Sequence, residues 1–418
     1  MTRRFLSQPL LAALQDTPVV LLHGARQTGK STLVRNVAET DHPSRYLTLD
    51  DAVLLAAAQG DPAGFLGGIE GPVVIDEVQR APELFVAIKA EVDRNRQPGR
   101  FLLTGSANVL LIPRLAESLA GRMEILTLAP FSQGELAGAP EAFIDAVFSK
   151  RLPDLPAAPM DSAGLSSMLL AGGYPPAVER ANIGRRHAWF GSYVTTVLER
   201  DVRDMANIEA LRTLPRLLAL VAARSASLLN FAELSRSAGI PQSTLKRYFA
   251  LFEITFLAQL IPPWSTNLGK RLVKTPKVYL LDSGLTAYLM GLDTERLAAE
   301  PNLRGPLLET FVAAELGKQA SWSRRHPRLY HFRQSTGAEV DFVLEEPSGQ
   351  LVGVEVKARA TVSGSDFNGL RALAEIAGPR FQRGIILYTG SAAAAFGSNL
   401  HALPLAALWA ASPQKKRH

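Results

Sequence analysis

Residues 17–39 have the sequence TPVVLLHGARQTGKSTLVRNVAE, in which an apolar strand pattern is followed by a loop and a helix pattern. The loop, Gly24 to Ser31, matches G-x-x-x-x-G-K-[ST]. Glycines let the backbone N–H groups of such a loop close around phosphates, Lys30 can reach the β- and γ-phosphates, and the Ser31 hydroxyl can bind Mg²⁺. The stretch predicts a nucleotide site in an α/β domain. The expected contacts are Gly24, Ala25, Arg26, Gln27, Thr28, Gly29, Lys30, Ser31 and Thr32.

Two further strand patterns end in polar residues that suit the same site. The stretch GPVVIDEVQRAP, residues 71–82, predicts a buried strand that ends at Asp76 and Glu77. An acid pair at this position suits Mg²⁺ binding by Asp76 and activation of water by Glu77. The stretch RFLLTGSAN, residues 100–108, predicts another apolar strand, and Thr104 near its end can offer a hydroxyl to the γ-phosphate or to its attacking water.

The composition is that of a globular protein, with 47% hydrophobic and 20% charged residues. Cysteine is absent, which excludes disulfides and thiolate metal sites. Because no secretory signal or long apolar run is recognisable either, we expect a cytoplasmic protein without a membrane partner. Residues 1–150 carry 14 Lys and Arg against 17 Asp and Glu, whereas residues 185–277 carry 14 against 6. This basic middle segment predicts a polyanion partner, with solvated helix faces as the alternative.

The order of motifs carries a resemblance to a known family. The motifs are LLHGARQTGKSTL, RYLTLDD, VVIDEVQRAPELF, FLLTGSAN and LAGRMEILTLAPFSQGEL. They resemble those of AAA-type P-loop ATPases of bacteria and archaea that carry an additional C-terminal half of unknown function. The resemblance covers most of residues 15–390 and implies ATP binding and hydrolysis. It makes Arg122 a candidate arginine finger or sensor, with a packing or ion-pair role as the alternative. A homo-oligomer through the ATPase domain is a further expectation.

The stretch NFAELSRSAGIPQSTLKRYFALFEI, residues 230–254, predicts a helix-turn-helix followed by a two-stranded wing. The first helix is expected to end before Gly239, and Ser243 to cap a second helix that buries Leu245 and Phe249. The expected nucleic-acid contacts are Gln242, Thr244, Lys246 and Arg247 on the second helix, with Lys270, Arg271 and Lys274 on the wing, which also carries Lys277. Winged helices also dock proteins, but the local positive charge favours nucleic acid, and DNA in particular.

The stretch GAEVDFVLEEPSGQLVGVEVKA, residues 337–358, predicts a hairpin centred on Ser348 with its valine-rich face inward. This register sets Asp341 opposite Glu355. Opposed carboxylates with Cβ atoms about 4.5–5.5 Å apart repel each other, so a cation is expected between them, either Lys357 or a metal ion. A solvated polar face with a local salt bridge is the alternative.

Upstream, the stretch RGPLLETFVAAELGKQ, residues 304–319, predicts a helix with Glu309 on its apolar face, where an acid needs a partner. A helix Glu, a strand Asp and a Glu-x-Lys on the next strand resemble the layout of the PD-(D/E)xK nuclease superfamily. The resemblance implies that Asp341 and Glu355 bind Mg²⁺ or Mn²⁺, that Glu309 supports the metal or its water, and that Lys357 orients the attacking water. The proline that gives the superfamily its name is absent.

The predicted fold class is α/β. The domains are expected to be an AAA-type P-loop NTPase core (1–150), a helical linker segment that closes on the ATPase (151–207), a winged helix-turn-helix (208–300), a restriction-endonuclease-like α/β domain (301–395) and a C-terminal tail (396–418). The leading hypothesis is a protein that binds and hydrolyses ATP and acts on nucleic acid, with a metal-dependent nuclease domain. The alternative is a regulatory ATPase switch whose C-terminal half binds DNA or protein partners without cleavage.

Overall fold

The computed structural model describes residues 2–106, 119–155, 160–202, 213–267 and 275–410. Its strands form three sheets, one in each successive part of the chain. No helix among these described residues combines the length and the apolar character that crossing a membrane requires.

The first sheet is fully parallel, with the order β2-β3-β4-β1-β5. Its strands are β1 (Val19–His23), β2 (Arg45–Thr48), β3 (Val73–Asp76), β4 (Phe101–Gly105) and β5 (Met123–Thr127). Its helices are α1 (Ser7–Asp16), α2 (Lys30–Glu39), α3 (Ala52–Gly60), α4 (Pro62–Gly67) and α5 (Leu84–Arg94). Val19 and Leu21 pack into one hydrophobic cluster and Val20 and Leu22 into another, so both faces of the sheet are covered. This explains the unbroken apolar run of β1.

Helices dominate the middle of the chain. They are α6 (Gln133–Ala137), α7 (Phe143–Val147), α8 (Ser162–Ala171), α9 (Pro175–Val178), α10 (Ile183–Thr196), α11 (Leu214–Ala222), α12 (Phe231–Ala238) and α13 (Gln242–Ile254). The second sheet is antiparallel in the order β6-β8-β7, with β6 (Ser227–Leu228), β7 (Ala258–Ile261) and β8 (Lys277–Leu280).

Helices α12 and α13 form the predicted helix pair, and Leu245 and Phe249 are buried as expected. The predicted cap is wrong, because α13 begins at Gln242 and Ser243 lies inside it. Pro241, whose ring fixes φ, ends a three-residue turn directly before the helix. A winged helix as a whole stays a prediction, since residues 268–274 of the expected wing lie outside the described residues.

The third sheet is mixed and has the order β13-β14-β12-β11-β10-β9. Its strands are β9 (Arg328–Arg333), β10 (Glu339–Glu345), β11 (Leu351–Lys357), β12 (Phe381–Tyr388), β13 (Ala394–Ala395) and β14 (Leu400–Pro404). The helices of this part are α14 (Ser283–Leu289), α15 (Thr294–Ala299), α16 (Pro301–Trp322), α17 (Asn368–Ala377) and α18 (Ala407–Ala410). Phe342 pairs with Val354 and Leu344 with Val352, which is the register centred on Ser348.

The tail predicted for residues 396–418 is wrong for its first part. Strand β14 pairs in parallel with β12, and the side chains of Ala402, Leu403 and Leu405 are buried in the two cores of this sheet. Residues 411–418 lie outside the described part of the chain.

The second and third sheets are joined through backbone. The N–H of Trp264 donates to the carbonyl of His331 at 2.6 Å, and the N–H of His331 donates to the carbonyl of Pro262 at 3.0 Å. Trp264 itself is buried against Phe332 in the core of the third sheet. The segment that follows β7 therefore extends the second sheet onto the edge strand β9.

Candidate functional site

The phosphate loop lies at the edge of the first sheet where the parallel strands end. Gly24 has φ +149°, and a Cβ there would lie 2.2 Å from the carbonyl oxygen of Leu128. Gly29 has φ +92° and directly precedes α2, whose first backbone N–H groups face the loop. Because both positions require glycine, the loop keeps a shape in which backbone N–H groups and a helix N-terminus can bind phosphate. The Lys30 ammonium donates to the carbonyls of Gly24 (2.9 Å) and Ala25 (2.8 Å).

Ser31 and Asp76 meet as the sequence predicted. The Ser31 hydroxyl donates to the Asp76 carboxylate at 3.1 Å, and the Thr104 hydroxyl donates to the same carboxylate oxygen. Tyr46 was not predicted; its hydroxyl donates to the other oxygen of Asp76 at 2.6 Å. Burial and this hydrogen bond raise the pKa of Tyr46 to about 12, so it remains a donor at neutral pH. A hydroxyl and a carboxylate held side by side are the hard oxygen donors that suit Mg²⁺.

Glu77 lies next to Thr104 at the same edge. Its backbone has φ +60°, a left-handed conformation that is unusual for glutamate and common at functional sites. Its N–H donates to the Thr104 hydroxyl at 3.1 Å, and its carboxylate accepts from Ser106 at 3.2 Å and from the Gln79 amide. Gln79 was missed, although it follows the acid pair by only two residues. These contacts orient a carboxylate that can accept a proton from an attacking water.

Arg122 lies at the opposite edge, where the parallel strands begin. It directly precedes β5, and its carbonyl accepts from the N–H of Val19 at the start of β1. Its guanidinium donates to the Asp93 carboxylate at 2.5 Å, and this hydrogen bond lowers the pKa of Asp93. Five strand residues, about 16 Å, separate this edge from the phosphate loop of the same chain. Within one chain, Arg122 therefore makes an ion pair, which was the alternative stated for it.

The N-terminal segment also holds the phosphate loop, through a residue that the sequence did not reveal. The buried Arg4 guanidinium donates to the carbonyls of Thr28 (2.7 Å) and Ala129 (2.6 Å) and pairs with Glu135 at 3.1 Å. It also lies over the ring of Phe131. Because one planar cation binds all these groups, the loop is fixed to the chain that leaves β5.

The middle of the chain packs directly on the phosphate loop. The indole N–H of Trp189 in α10 donates to the side-chain oxygen of Gln27 at 3.1 Å. The His23 ring, at the end of β1, meets the Phe256 ring edge to face at 5.1 Å. Burial, together with nearby Lys30, lowers the pKa of His23 to about 4, so this contact involves a neutral ring. The loop thus touches α10, and the end of β1 directly before it touches the segment that follows α13.

The acid cluster of the third sheet gathers Glu309, Glu339, Asp341 and Glu355. The Asp341 carboxylate accepts from the N–H of Val356 at 2.9 Å, and Glu355 accepts from the N–H of Asp341 at 3.3 Å. The Lys357 ammonium lies 2.7 Å from Glu355. The hairpin therefore brings Asp341, Glu355 and Lys357 together in the predicted register.

A second cation lies inside this cluster. The ammonium of Lys277, on β8 of the second sheet, is 3.0 Å from Glu309, 2.8 Å from Glu339 and 3.1 Å from Asp341. Its side chain is 2% exposed. Lys277 was predicted on a wing strand and lies on β8, which pairs antiparallel with β7, but its side chain turns toward the third sheet and is buried there. The sequence did offer one signal for this contact. In the stretch KVYLL, which begins with β8, a lysine and a tyrosine stand two residues apart.

The protonation equilibria of the cluster reflect burial and crowded charge. Burial and the charge of Asp341 raise the pKa of Glu309 to about 7 and that of Glu355 to about 8. Burial alone would lower the pKa of Lys277, but Asp341, Glu309 and Glu339 outweigh burial and raise it above its ordinary value. Lys277 is therefore a permanent cation at neutral pH.

The donor set of the cluster does not fit a divalent metal in this arrangement. Within the described ranges, no group of three or more His, Asp or Glu side chains is placed so that it could hold a metal ion. Both carboxylates predicted as ligands already accept hydrogen bonds: Asp341 from Lys277 and Val356, and Glu355 from Lys357 and the Asp341 N–H. A divalent ion between them requires some of these donors to leave.

The expected nucleic-acid contacts divide into two groups. Gln242, Lys246 and Arg247 are exposed at the start of α13, and Thr244 is half-buried. Lys246 lies over the ring of Phe231 in α12 at 5.6 Å. Lys270, Arg271 and Lys274 lie outside the described residues, so the contribution of the wing stays a prediction.

Three family models match this chain in succession. An AAA domain matches residues 16–137, a domain of unknown function (DUF8612) matches residues 162–296, and a second one (DUF4143) matches residues 304–408. Solved structures to which the chain is similar include the Thermotoga maritima RuvB Holliday junction branch migration motor, 21% identical over 61% of this chain and 89% of that chain, with a TM-score of 0.29. They also include AMPPCP-bound DnaA from Aquifex aeolicus, 13% identical over 59% and 86%, also with a TM-score of 0.29.

Two curated relatives are similar over most of their length. They are the uncharacterized proteins Rv2008c of Mycobacterium tuberculosis and Mb2031c of Mycobacterium bovis. Each is 34% identical over 364 residues, which cover 86% of this chain and 75% of the relative. With its P-loop, acid-pair strand and parallel sheet, the chain belongs to the family of AAA-type P-loop ATPases that includes these mycobacterial proteins and carries a C-terminal domain of unknown function.

Proposed function

We propose that this protein is an ATP-driven switch that acts on DNA through its middle segment. The observation that carries the proposal is the direct contact of the nucleotide edge with that segment, through Gln27 of the phosphate loop and Trp189 and through His23 at the end of β1 and Phe256. Phe256 lies two residues after α13, whose N-terminal half carries the exposed Lys246 and Arg247. A change at the nucleotide edge therefore has a short mechanical route to the predicted DNA-binding helix.

The nucleotide edge supports ATP and Mg²⁺ as cofactors. Ser31 and Asp76 would hold the metal ion, which would neutralise charge developing on the phosphates. Lys30 can exchange its two carbonyl partners for phosphate oxygens, since the loop surrounds its ammonium. Glu77 would accept the proton of the attacking water, with Thr104, Gln79 and Ser106 fixing its position.

The proposal includes a homo-oligomer built through the ATPase domain. Arg122 lies at the strand-start edge, about 16 Å of strand away from its own phosphate loop. A nucleotide contact by Arg122 therefore needs a second copy whose loop faces this edge. Such a contact would exchange the Asp93 partner for phosphate, as an arginine finger supplied in trans does.

The C-terminal domain has two candidate roles. In the first, Asp341 and Glu355 would hold Mg²⁺ or Mn²⁺, Glu309 would support the site, and Lys357 would orient a water for DNA cleavage. In the second, the domain contributes to binding of DNA or protein partners without cleavage. The ammonium of Lys277 among Glu309, Glu339 and Asp341 favours the second role for the arrangement described here.

DNA binding by α13 can be tested through its salt dependence. Plasmid fragments are titrated with the full chain at several salt concentrations, with ATP present. If the basic segment neutralises phosphates, log K should fall with log salt, with a slope of about −0.9 per phosphate contact. Changing both Lys246 and Arg247 to Ala should lower the affinity and make the slope shallower by up to about two such contacts.

Lys150 and Arg151 provide the matched control, because they are also an adjacent, exposed Lys–Arg pair. Changing both to Ala removes the same charge and should leave the slope close to that of the parent. A slope near zero in the parent, or equal slopes for the two double variants, would favour a protein partner over DNA.

A further inference from the structure

Strand β8 joins two hydrophobic cores and fixes the position of Lys277. Val278 and Leu280 point into the core of the middle segment, while Tyr279 belongs to the core of the third sheet. Side chains alternate along a strand, so Lys277 points to the same side as Tyr279. The Tyr279 hydroxyl donates to Glu309 at 2.6 Å, next to the Lys277 ammonium at 3.0 Å. Two groups from one strand thus bind the same carboxylate.

The surroundings hold this strand in place. β8 is the central strand of its sheet, paired with β6 on one side and β7 on the other. The chain that enters it is held by His331 of β9, whose ring nitrogen lies 3.2 Å from the carbonyl of Thr275. The chain that leaves β7 is held to β9 through Trp264. The backbone that carries Lys277 is therefore held in place by paired strands and by contacts to β9.

An ammonium and a divalent cation compete for these oxygens. Mg²⁺ requires near-octahedral oxygen ligands at about 2.0–2.1 Å, and it rarely gives up all its water. The Lys277 nitrogen already lies about 3 Å from oxygens of three carboxylates and fills the space between them. Two cations a few ångströms apart in a buried site also repel each other strongly. Both cannot bind the same carboxylates at full strength.

We propose that Lys277 is the resident cation of this acid cluster and keeps divalent metal out of it while β8 is docked. The candidate site for DNA cleavage is thus closed by a residue of the middle segment. The inference rests on the proposed function, in which this cluster is a candidate site of DNA cleavage, but its test measures metal binding only. Removal of the charge of Lys277 should open the cluster to one divalent ion.

A plain structural ion pair predicts a different result. If the carboxylates are arranged only for an ammonium, removing Lys277 leaves unpaired acids that take up protons and bind no metal. If they retain a metal geometry that Lys277 masks, the same change creates a divalent site that depends on Asp341. The two cases are separated by metal stoichiometry, with no measurement of cleavage.

The experiment is a Mn²⁺ titration of the full chain without nucleotide or DNA. Binding is measured by calorimetry and by the electron paramagnetic resonance signal of free Mn²⁺. The parent and its Asp341→Asn variant should bind the same amount of Mn²⁺. Lys277→Met should bind one additional Mn²⁺ per chain at millimolar concentration. Lys277→Met combined with Asp341→Asn should lose that additional ion. Lys277→Gln replaces Lys277→Met if the apolar side chain prevents cooperative melting.

Two outcomes overturn the proposal. In the first, the Asp341→Asn variant binds one Mn²⁺ fewer than the parent, which means that the metal and Lys277 occupy the cluster together. In the second, a folded Lys277 variant gains no Mn²⁺, which means that Lys277 is not what excludes the metal. Neither outcome depends on DNA binding or ATP hydrolysis, so failure here is distinguishable from failure of the proposed switch.

Discussion

Lys30 and Lys277 are both buried lysines at polar sites, but they have opposite kinds of partner. Lys30 donates to the backbone carbonyls of Gly24 and Ala25, while Lys277 lies among the carboxylates of Glu309, Glu339 and Asp341. Neutral carbonyls bind an ammonium weakly enough for a phosphate to replace them, whereas three carboxylates hold it firmly. The first arrangement suits a ligand site, and the second suits a permanent connection between two sheets.

The largest expected effect separates binding from chemistry at the nucleotide edge. Lys30→Ala should abolish ATP binding, because the loop loses the ammonium that contacts phosphate. Glu77→Gln should keep ATP binding and lower hydrolysis by about 10²–10⁴-fold, because the amide cannot accept the proton of the attacking water. Equilibrium binding of a fluorescent ATP analogue and release of phosphate measure the two effects. Hydrolysis by Glu77→Gln equal to that of the parent would remove Glu77 from this role.

The next effect is on stability, and it tests the two lysines against each other. Lys277→Ala leaves three carboxylates without their shared cation and should destabilise the fold by about 3–5 kcal/mol. Lys30→Ala loses hydrogen bonds to neutral carbonyls and should cost about 1–2 kcal/mol. Both are measured as shifts in melting temperature by calorimetry without nucleotide.

The charges of the cluster provide a control for that experiment. Glu309→Gln in the Lys277→Ala background removes one of the facing acids and should recover part of the lost stability, since the two changes act on the same contacts. Strictly additive losses for Lys277 and Glu309 would show that their contact adds nothing to stability. Equal destabilisation by Lys30→Ala and Lys277→Ala would contradict the difference drawn between the two sites.

How far the sequence predicts each site depends on the distance between partners along the chain. The phosphate loop is eight consecutive residues with a fixed backbone shape, so its pattern was sufficient. The register of the hairpin was predicted for the same reason, since a short turn sets which residues face each other. Tyr46 was missed because its contact with Asp76 depends on β2 lying beside β3, which no local pattern reveals.

The errors arose where distant segments meet. Lys277 is 32 residues from Glu309 and 64 from Asp341, and in the sequence it stands beside other basic residues of the expected wing. Counting it as a surface charge was natural because lysine is rarely buried without a partner, and its partners were unknown. Strand β14 was not predicted, because its pairing with β12 is parallel and non-local, and His401 and Pro404 interrupt its apolar pattern.

The smallest effect comes from a third buried charge group, where carboxylates again meet a lysine. Glu141 accepts from the N–H of Gly134 at 2.5 Å and lies near Glu315, which is itself paired with Lys318 at 2.7 Å. Burial and the charge of Glu315 raise the pKa of Glu141 to about 8. Glu141 forms no ion pair within the described part of the chain, and its raised pKa keeps a proton on this carboxyl at neutral pH.

The sign of the pH dependence follows from that shift. The folded chain holds a proton on Glu141 that the unfolded chain releases above its ordinary pKa, about 4.5. The stability from Glu141 is therefore complete below pH 4.5 and is lost as the pH rises through about 8, at up to about 1.4 kcal/mol per pH unit. Glu141→Gln mimics the protonated form, so it should melt like the parent at pH 5 and above the parent at pH 8. Glu70→Gln, at an exposed position, should show no such divergence. A melting difference for Glu141→Gln that is the same at both pH values would mean that Glu141 stays ionised in the fold, and that Lys318 serves both carboxylates.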